Sequence, residues 1–352
     1  MKEKVFVGLS GGVDSSVAAA LLQEQGYEVI GFTLDLWNGK QDGEPEAVRD
    51  GRKIAQQLGI EHHVLELKEL FRQEVVDYFL KEYAAARTPN PCVMCNRKIK
   101  FGEVFRAAKR LGADYVATGH YVRLVQENGR YLLKMPSDQK KDQTYMLYHL
   151  TQQQLAHIKM PLGDYTKEEV RRRAKEKGLF VAEKADSQDI CFLEGSTLSD
   201  FIAEYDPAQL RVGQVVDEQG TVLGIHQGIS RYTLGQRRGL GIAAEAKLYV
   251  KELDAVQNRV VLSGEGALFA KRLIADEVSF QWLDKLESPM QVQAKIRYAS
   301  RPAPATIEQQ TESTVLVTFE QPQRAITPGQ AVVFYRDDTV VGGGTIRHAV
   351  QD

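Results

Sequence analysis

A glycine-rich stretch near the start of the chain constrains its fold more than any other feature. Residues 8–16 read Gly-Leu-Ser-Gly-Gly-Val-Asp-Ser-Ser, between the apolar run 5–7 and the helix-like run 17–22. A strand, a glycine turn and a helix in this order direct backbone N–H groups and the positive helix end toward one point. Because Ser10 and Ser15 add hydroxyl donors, the stretch is predicted to bind phosphate. The alternative is a turn that is only incidentally rich in Gly and Ser, and both flanks disfavour it.

The loop lacks two common nucleotide-binding patterns, and this limits the reactions that it is expected to support. It has neither the Gly-Lys-Ser/Thr ending of a Walker loop nor the Gly-x-Gly-x-x-Gly of a dinucleotide fold. It resembles the Ser-Gly-Gly-x-Asp-Ser loop of the ATP-pyrophosphatase families, which split ATP between the α and β phosphates. The resemblance implies that a substrate oxygen receives AMP.

Composition sets further limits on function. A chain of 352 residues suggests two or three domains, and 43% hydrophobic with 26% charged residues is typical of soluble globular proteins. The net charge of −2 gives no overall attraction to nucleic acid, so RNA binding requires local basic clusters. Such clusters occur at residues 97–100, 140–141, 171–173 and 237–238. No apolar run approaches the ~18 residues of a membrane span and no signal-peptide pattern is found, so we expect a cytoplasmic protein without membrane contact.

The first part of the chain alternates between strand and helix patterns. Strands are predicted at 5–8, 28–34, 63–67 and 115–118, and helices at 15–25, 46–58, 70–85 and 97–111. Several helices end at glycine: Gly26, Gly59 and Gly112. This order predicts an α/β domain with a parallel, helix-covered sheet. Ligands of such sheets bind at the carboxyl ends of the strands, where the glycine loop and residues 118–120 both fall.

The predicted secondary structure changes toward the C-terminus, from alternating strands and helices to mainly short strands. A hairpin is predicted at 121–135 with its turn at 127–129, followed by helices at 143–157, 166–177 and 198–205. Thr166 and Glu169 form a capping box before the second of these. Short strands follow at 213–216, 222–227, 248–253, 259–262, 291–298, 303–308, 314–319 and 331–335. We therefore expect an α/β domain over 1–205, a small β-rich central domain over 206–271 and a β-barrel-like domain over 272–352.

Two of the three cysteines lie close together. Cys92 and Cys95 occur in Thr88-Pro-Asn-Pro-Cys-Val-Met-Cys-Asn96, whose prolines are predicted to exclude helix and to leave both thiols just before a helix. The helix end and the neighbouring basic residues are then expected to lower the thiol pKa values. A structural zinc site is disfavoured because no second Cys or His pair stands nearby. An odd number of cysteines also argues against structural disulfides.

The third cysteine, Cys191, lies in the polar segment 185–193. A lone cysteine is more often a small buried hydrophobic residue than a catalyst. Together with an ATP loop and a Cys-x-x-Cys segment, it suggests that sulfur passes between cysteines as a persulfide.

The chain resembles the tRNA-specific 2-thiouridylase family over its whole length. The motifs that carry the resemblance are Gly8-Leu-Ser-Gly-Gly-Val-Asp-Ser15, Arg87-Thr-Pro-Asn-Pro91, Cys95-Asn-Arg-Lys-Ile-Lys-Phe101, Ala117-Thr-Gly-His-Tyr121, Lys141-Asp-Gln-Thr-Tyr145, Asp186-Ser-Gln-Asp-Ile-Cys-Phe192, Gly235-Gln-Arg-Arg-Gly239 and Ile296-Arg-Tyr298. This family replaces the C2 oxygen of the wobble uridine of certain tRNAs with sulfur. It uses ATP, and persulfide sulfur from a cysteine desulfurase or a sulfur-relay protein. The resemblance also implies an adenine nucleotide α-hydrolase-like fold for the first domain.

The resemblance implies roles for individual residues. Cys95 matches the nucleophile and Cys191 the persulfide carrier. The implied ATP-binding residues are Gly8, Leu9, Ser10, Gly11, Gly12, Val13, Asp14, Ser15, Leu34 and Gly119. The implied contacts to the target base are Asn90, Pro91 and Cys92. The implied tRNA contacts are His120, Lys141, Asp142, Gln143, Arg297, Tyr298 and Gln330.

Some alternatives stay open at this stage. Cys92 stands where many members carry Asp, and three thiols could hold a [4Fe-4S] cluster through Cys92, Cys95 and Cys191. The persulfide route is the favoured one. ATP is expected to bind with Mg²⁺, and Asp14 either places that ion or caps the following helix, the cap being favoured. His120 serves either as an acid or base or as a hydrogen-bond partner of RNA.

Two other function classes compete with thiolation. One is an ATP-pyrophosphatase ligase that uses ammonia, which would need neither the three cysteines nor their spacing. The other is a tRNA-binding module without catalysis, which the intact glycine loop disfavours.

Overall fold

The computed structural model describes residues 2–37, 39, 43–186, 190–193 and 195–350. The chain divides into two compact units. Unit 1 comprises Met1–Val75, Cys92–Phe192 and Asp337–Val341, and unit 2 comprises Val76–Pro91, Leu193–Arg336 and Gly342–Asp352. The predicted domain limits after residues 205 and 271 stay a prediction.

Unit 1 is built on a five-stranded parallel sheet. In chain order its strands and one hairpin are β1 (Lys4–Gly8), β2 (Glu28–Asp35), β3 (Glu61–Glu66), β4 (Tyr115–Ala117), β5 (Arg123–Glu127), β6 (Arg130–Lys134) and β7 (Ile158–Lys159). The sheet order is β3-β2-β1-β4-β7 with every neighbouring pair parallel. The antiparallel hairpin β5–β6 turns at Asn128 and Gly129, which both have positive φ. The predicted parallel sheet and hairpin are confirmed.

The described residues form nine α-helices. They are α1 (Val13–Glu24), α2 (Glu46–Leu58), α3 (Lys68–Phe71), α4 (Tyr78–Ala84), α5 (Pro91–Cys95), α6 (Val104–Arg110), α7 (Gln152–Leu155), α8 (Lys167–Glu176) and α9 (Leu198–Tyr205). Residues Arg72–Asp77 and Asn96–Glu103 form π-helical turns that adjoin α4 and α6. Gly26, Gly59 and Gly112 all have positive φ, as expected for helix C-termini.

The central strand β1 explains why this sheet is covered on both faces. Val5, Phe6 and Val7 are all fully buried, a pattern typical of parallel sheets. Since side chains alternate along a strand, Val5 and Val7 pack with α1 and α8, whereas Phe6 packs on the other face with α6. The sheet is therefore the middle layer of three.

The predicted helix over 143–157 is wrong. The chain there forms a 3₁₀ turn at Thr144–Met146 and then the short α7. The extended backbone of Thr151 interrupts the helix, because its side chain caps α7 in a capping box with Gln154. A new helix start at this position ends any helix that precedes it.

The prediction that the prolines keep Cys92 and Cys95 outside a helix is also wrong. Both cysteines lie inside α5, which begins at Pro91. Proline is compatible with the first helical position, because the N–H that it lacks has no partner within the helix there.

The central part of unit 2 is a small four-stranded sheet. Its strands are β8 (Gly213–Val216), β9 (Val222–His226), β10 (Tyr249–Asp254) and β11 (Arg259–Ser263), in the order β10-β11-β8-β9. The pair β11–β8 is parallel and the other two pairs are antiparallel. Val215, Val250 and Val260 lie in its core with Ile229 and Tyr232. A small β-rich central region is confirmed.

The C-terminal part of unit 2 closes into a six-stranded barrel. Its strands are β12 (Phe269–Phe280), β13 (Met290–Lys295), β14 (Ala303–Gln309), β15 (Val315–Arg324), β16 (Ala331–Arg336) and β17 (Thr339–Val350), the first three residues of β17 being assigned to unit 1. The order is β12-β15-β14-β13-β16-β17, and β12 also pairs with β17. This closure confirms the predicted barrel and leaves it without an open edge.

The two longest barrel strands, β12 and β17, were not among the predicted strands. β17 contains Gly342, Gly343 and Gly344, which resemble a turn in the sequence. In the barrel a Cβ atom at residue 342 would lie 2.3 Å from the carbonyl oxygen of Ser279. The glycines therefore permit close approach of β12 and β17. None of the described helices is long and apolar enough to span a membrane.

Candidate active site

The glycine loop joins β1 to α1 with its helix amides directed outward. Gly11 has a φ of +73°, which favours glycine, and Gly12 is the N-cap of α1 and contributes no side-chain cap. The first N–H groups of α1 therefore remain available at the positive end of the helix. This is the geometry expected of an anion site at the carboxyl end of a central parallel strand.

The serines of the loop hold its shape. The Ser15 hydroxyl accepts a hydrogen bond from the Ser10 amide at 3.1 Å and donates to the Gly12 carbonyl at 3.2 Å. Thr33 of β2 donates to the Leu9 carbonyl at 2.7 Å. Ser15 is therefore a support of the loop, in addition to its predicted role as a phosphate donor.

Two of the predicted ATP-binding residues outside the loop lie at the same edge of the sheet. Leu34 is near the carboxyl end of β2, the strand beside β1. Gly119 follows β4 on the other side, and a Cβ atom there would lie 2.8 Å from the Ser15 amide nitrogen. Only glycine allows this close approach to the start of α1.

Asp14 does not cap α1, so the favoured role for it is wrong. Its carboxylate accepts hydrogen bonds from the Lys167 ammonium at 2.7 and 2.8 Å and from the Tyr121 hydroxyl at 2.7 Å. The N-cap position belongs to Gly12, two residues earlier. Burial, and then the Asp14 carboxylate, raise the pKa of Tyr121, so that its hydroxyl stays a donor.

Asp186 lies among three cations. Its carboxylate oxygens lie 2.7 Å from Lys141 Nζ, 2.8 Å from Lys167 Nζ and 2.8 Å from an Arg171 nitrogen. Burial alone would raise the pKa of Asp186, but the hydrogen bonds from Lys141 and Lys167 outweigh it and lower the pKa to about 2. Asp186 is thus ionised at any physiological pH.

None of the three cysteines forms a disulfide, and Cys92 and Cys95 are not activated in the way the sequence predicts. The side chains of Cys92 and Cys191 reach the surface, whereas Cys95 is 7% exposed. Desolvation by the surrounding protein raises the pKa of all three thiols, that of the buried Cys95 to about 12, and among the neighbouring charges only Lys100 opposes the rise at Cys95. The expected lowering of the pKa values of Cys92 and Cys95 is wrong because desolvation of these thiols outweighs the dipole of the short helix α5. In addition, the charge of Lys98 is compensated by Glu74, which lies 3.1 Å away.

The thiols nevertheless lie close enough to influence one another. Cys92 and Cys191 both raise the pKa of Cys95, and Cys92 raises that of Cys191. Among the described residues, no group of three or more His, Cys, Asp or Glu side chains is arranged to hold a metal ion. The donor arrangement thus does not favour the [4Fe-4S] alternative.

The residue after Cys191, Phe192, is packed among aromatic side chains. Phe192 is 2% exposed, and its ring lies 6.0 Å from that of Phe71 and 6.4 Å from that of Trp37, measured between centroids. Three residues of the motif before Cys191, at positions 187–189, lie outside the described residues.

The remaining predicted tRNA contacts of unit 1 are engaged within the protein. Burial, and then Lys100, lower the pKa of His120 to about 3, and its Nδ1 lies 2.7 Å from the Thr118 hydroxyl. Asp142 accepts hydrogen bonds from the amide and the hydroxyl of Thr144, and the Gln143 side chain accepts from the Tyr121 amide. His120 is therefore neutral at physiological pH, which favours a hydrogen-bonding role.

The predicted contacts of unit 2 lie on or beside the barrel. Arg297 donates to the carbonyls of Arg324 and Ala325 at 2.6 and 2.5 Å, and Tyr298 is 41% exposed. The Gln330 amide donates to the Thr88 carbonyl at 2.8 Å.

Gln330 thus fastens the segment that leads to the predicted base contacts Asn90 and Pro91. The Thr88 amide also donates to the Pro328 carbonyl at 2.8 Å. Cys92, the third predicted base contact, follows them in sequence as the first residue of this stretch assigned to unit 1.

Sequence reasoning missed Lys167. One signal was present, since a lysine at the first position of a helix opposes the helix dipole and calls for a nearby carboxylate. Which carboxylate it meets could not be deduced, because Asp14 lies 153 residues away in the chain.

Known proteins and protein families are similar to this chain over nearly its whole length. Three family models match, described as a tRNA methyl transferase HUP domain over residues 3–195, a tRNA methyl transferase PRC-barrel domain over 199–264 and an aminomethyltransferase beta-barrel domain over 271–346. The tRNA-specific 2-thiouridylase MnmA of Clostridium perfringens is 49% identical over 98% of both chains. That of Acetivibrio thermocellus is 50% identical over 98% of this chain and 99% of its own. The chain belongs to the tRNA-specific 2-thiouridylase family.

Membership of this 2-thiouridylase family confirms the predicted enzyme class, ATP-dependent 2-thiolation of tRNA. A 4-thiouridine synthetase in complex with RNA and ATP is 21% identical, with a TM-score of 0.38, over 54% of this chain and 44% of that chain. That likeness is too low to locate side chains.

Proposed function

We propose that this 2-thiouridylase acts on the wobble uridine of tRNA and inserts sulfur carried as a persulfide on Cys191. One observation supports the proposal above the others: unit 1 contains both the glycine loop and three thiols, outside any disulfide, that lie close enough to raise one another's pKa. Adenylation and sulfur transfer therefore have their groups in the same compact unit.

The first step uses the glycine loop. The outward N–H groups of α1 and the positive helix end would hold the phosphates of ATP. The uridine O2 attacks the α-phosphorus, the bond to the β-phosphate oxygen breaks, and pyrophosphate leaves. Asp14, the carboxylate in the first turn of α1, would hold Mg²⁺ together with the phosphates once its ion pair with Lys167 opens, and the ion would neutralise charge on the leaving pyrophosphate. The AMP now on O2 is a far better leaving group than oxide.

The second step uses two thiols. The terminal sulfur of the Cys191 persulfide attacks C2, and AMP leaves with the former O2. Cys95 then attacks the Cys191 sulfur, loses its proton, and breaks the S–S bond to the transferred sulfur, which remains on C2 as the thiocarbonyl. Alternatively, Cys95 attacks the persulfide first and releases hydrosulfide, which attacks C2. Both routes end in a disulfide between Cys95 and Cys191, which a dithiol reductant must reduce.

The exposure of the thiols suits these roles. Cys191 is exposed, so a cysteine desulfurase or a sulfur-relay protein can load it with sulfur from its own persulfide. Cys95 is buried with a pKa of about 12, so it rests as an unreactive thiol. A buried resting thiol protects the loaded enzyme from premature release of sulfur.

The tRNA roles are proposed residue by residue. Asn90, Pro91 and Cys92 would meet the target base. Lys141 would neutralise a phosphate, the half-exposed Tyr298 would stack on a base, and Arg297 would shape the barrel surface through the backbone. Further contacts are assigned to His120, Asp142, Gln143 and Gln330.

The test is a reconstitution. The purified chain is incubated with MgATP, cysteine, a cysteine desulfurase and a tRNA transcript, and 2-thiouridine, AMP and pyrophosphate are measured. We expect equal amounts of 2-thiouridine and AMP, and neither product from a matched transcript with cytidine at the wobble position. AMP formed with ammonia in place of sulfur would support a ligase, and tRNA binding without AMP would support a non-catalytic module.

The sulfur route needs a separate measurement. Protein purified without oxygen is analysed for iron and acid-labile sulfide, with a Cys92→Ala variant beside it. We expect no stoichiometric iron in either protein. A stoichiometric cluster that is lost in the variant would overturn the persulfide route.

A further inference from the structure

Two adjacent arginines, Arg237 and Arg238, belong to a motif to which the proposed function gives no role. The motif is Gly235-Gln-Arg-Arg-Gly239, here called the arginine loop. Both arginines are exposed to solvent. Among the residues that the structure describes, no carboxylate lies within ion-pair distance of either guanidinium group. Two uncompensated positive charges therefore stand side by side on the surface of unit 2.

Each of the other three basic clusters of the sequence is at least partly neutralised by a carboxylate. In the cluster at 97–100, Lys98 pairs with Glu74 at 3.1 Å. In the clusters at 140–141 and 171–173, Lys141 and Arg171 both pair with Asp186, at 2.7 and 2.8 Å. A chain of net charge −2 binds RNA through the local cations that stay unneutralised. By this criterion the arginine loop is the cluster best suited to an RNA phosphate.

The loop holds its two arginines in a defined turn. Gly235 and Gly239 have φ values of +80° and +72°, a conformation that favours glycine. The side chain of Gln236 closes the turn, because its oxygen accepts from the Thr233 amide at 3.0 Å and its nitrogen donates to the Arg238 carbonyl at 3.0 Å. A turn that is already fixed loses little conformational entropy when it binds a ligand.

The arginine loop is fastened to both parts of unit 2. The Gly235 amide donates to the carbonyl of Val250, in strand β10 of the central sheet, at 2.8 Å. The guanidinium group of Arg324, in strand β15 of the barrel, donates to the Gly235 carbonyl at 3.3 Å. A Cβ atom at residue 235 would lie only 2.8 Å from the Cβ atom of Ala325. The loop therefore packs directly on the barrel.

This attachment places the loop next to two predicted tRNA contacts. Arg297 donates to the carbonyls of Arg324 and Ala325 at 2.6 and 2.5 Å, and these are the two barrel residues that contact Gly235. Tyr298, which is 41% exposed, follows Arg297 in the chain. The arginine loop and the Arg297–Tyr298 pair are thus neighbours on the same unit.

We propose that Arg237 and Arg238 bind the phosphodiester backbone of the tRNA substrate, beside the surface formed by Arg297 and Tyr298. The inference rests on the proposed function, which assigns Arg297 and Tyr298 to tRNA. A guanidinium group suits this ligand because its fork of N–H donors matches two phosphate oxygens. Phosphate contacts position a nucleic acid but carry no sequence information. The loop would therefore orient the tRNA without selecting the wobble base.

The test measures tRNA binding at equilibrium, without ATP or sulfur. The full chain and the double variant Arg237→Gln with Arg238→Gln are titrated into a labelled tRNA transcript, and fluorescence anisotropy is recorded at a series of salt concentrations. We expect the variant's Kd to be about three- to thirtyfold higher, the scale of losing two exposed ion pairs. The slope of log Kd against log salt should fall by about 1–2. A transcript with cytidine at the wobble position should show the same ratio of Kd values.

Two further double variants separate phosphate binding from net charge and from folding. Arg106→Gln with Arg110→Gln removes the same formal charge, but both of these arginines already pair with Glu103, at 2.5 and 3.4 Å. The Kd of this control should change by less than about twofold. Arg237→Lys with Arg238→Lys should keep the wild-type salt slope while losing part of the affinity, because lysine keeps the charge without the planar fork.

Turnover gives an independent readout. In the glutamine double variant, KM for tRNA should rise while kcat and KM for ATP stay at the wild-type values, and the thermal unfolding midpoint should not change. The proposal is overturned if this variant binds tRNA with wild-type affinity and salt slope, or if the Glu103-paired control loses as much affinity. It is also overturned if tRNA binding is normal but a cysteine desulfurase loads the variant with sulfur more slowly, which would assign the loop to the sulfur donor. A chain that binds tRNA through the loop but forms no 2-thiouridine contradicts the proposed function alone.

Discussion

The glycine loop and the charge cluster beside it are neighbours in space but are built in opposite ways. The hydrogen bonds among the serines and glycine of the loop join residues three to five positions apart, from Ser10 to Ser15 and from Ser15 and Ser16 to Gly12. The ion pairs of the cluster join residues 45 and 153 positions apart, Lys141 to Asp186 and Lys167 to Asp14.

This difference determines which parts of the site can be identified from the sequence. A loop held by local hydrogen bonds has its chemistry written in one short stretch, so a motif identifies it. A cluster held by long-range pairs exists only in the folded chain, so no stretch identifies it. Substitutions in the two kinds of structure should therefore affect activity and stability to different extents.

The largest effect is expected from the thiols, which only the fold brings together. Cys95→Ala and Cys191→Ala should each lower the rate of 2-thiouridine formation by at least about 10³-fold, because each removes a group that acts covalently. Binding of tRNA, measured by filter retention, should change little. Cys92→Asp, which carries the residue common in the family, tests the proposed base contact separately and should lower the rate far less than either alanine variant. Activity in either alanine variant would remove that cysteine from the pathway.

The second-largest effect is expected at Gly119, which packs against the start of α1. In Gly119→Ala the new Cβ atom would lie 2.8 Å from the Ser15 nitrogen and 2.9 Å from the Asp14 carbonyl carbon. We expect a loss of about 1–3 kcal/mol in the free energy of unfolding, the scale of an overpacked site, together with weaker ATP binding by calorimetry.

Gly264→Ala is the control for this change. A Cβ atom at residue 264 meets nothing within 4 Å, and its φ of −67° suits any residue. Its unfolding free energy should stay within about 0.5 kcal/mol of the wild type. Equal behaviour of the two variants would contradict the close packing of Gly119 on α1.

A third prediction concerns the pH dependence of Cys95. Only the thiolate reacts with iodoacetamide, and the pKa of Cys95 is about 12. Its labelling rate should therefore keep rising with pH above 9, whereas a solvated thiol levels off near about 9. Because the folded-state pKa exceeds the unfolded value, this thiol stabilises the fold below about pH 8.5, and that contribution falls as pH rises toward 12. A plateau in the labelling rate near pH 8 would contradict the raised pKa and show that Cys95 is the activated thiolate that the sequence predicts.

The smallest effect is expected at Gln330. Gln330→Ala removes the hydrogen bond to the Thr88 carbonyl and should cost about 1 kcal/mol in the free energy of unfolding. Because Thr88 leads to Asn90, we also expect KM for tRNA to rise more than kcat falls. Gln323→Ala is the control, since that partly exposed side chain donates to the nearby Gln321 carbonyl. An unchanged KM for tRNA would show that Gln330 does not position the segment that contains Thr88 and Asn90.

Local signals predicted much of the fold. The bounds of α2 and α9 agree with the structure to the residue, because a glycine C-cap ends the first and a capping box at Thr197 starts the second. The prediction of one helix over 143–157 failed because Thr151 begins a separate turn of helix. The strand β17 was missed because its three glycines serve a close approach to β12 that no local pattern shows.

The candidate site divides in the same way. Gly11 and Gly12 were recognisable from spacing alone, since a strand-to-helix turn allows few geometries. The pKa values of the thiols were predicted with the wrong sign, because the sequence shows the basic neighbours of Cys95 but not its burial. Asp14 was recognised as part of the loop motif, whereas its partner Lys167 was not predicted at all.

The amino-acid sequence by itself determined the phosphate loop, the three sulfur atoms, the order of the secondary structure and the family. These depend on backbone preferences and on motifs that span a few residues. The tertiary structure alone decided that Cys95 is buried and protonated, that Gly119 lies against α1, and that Lys167 links Asp14 to Asp186. Desolvation and ion pairing depend on distances in space, and those distances arise only when residues far apart in the chain are packed together.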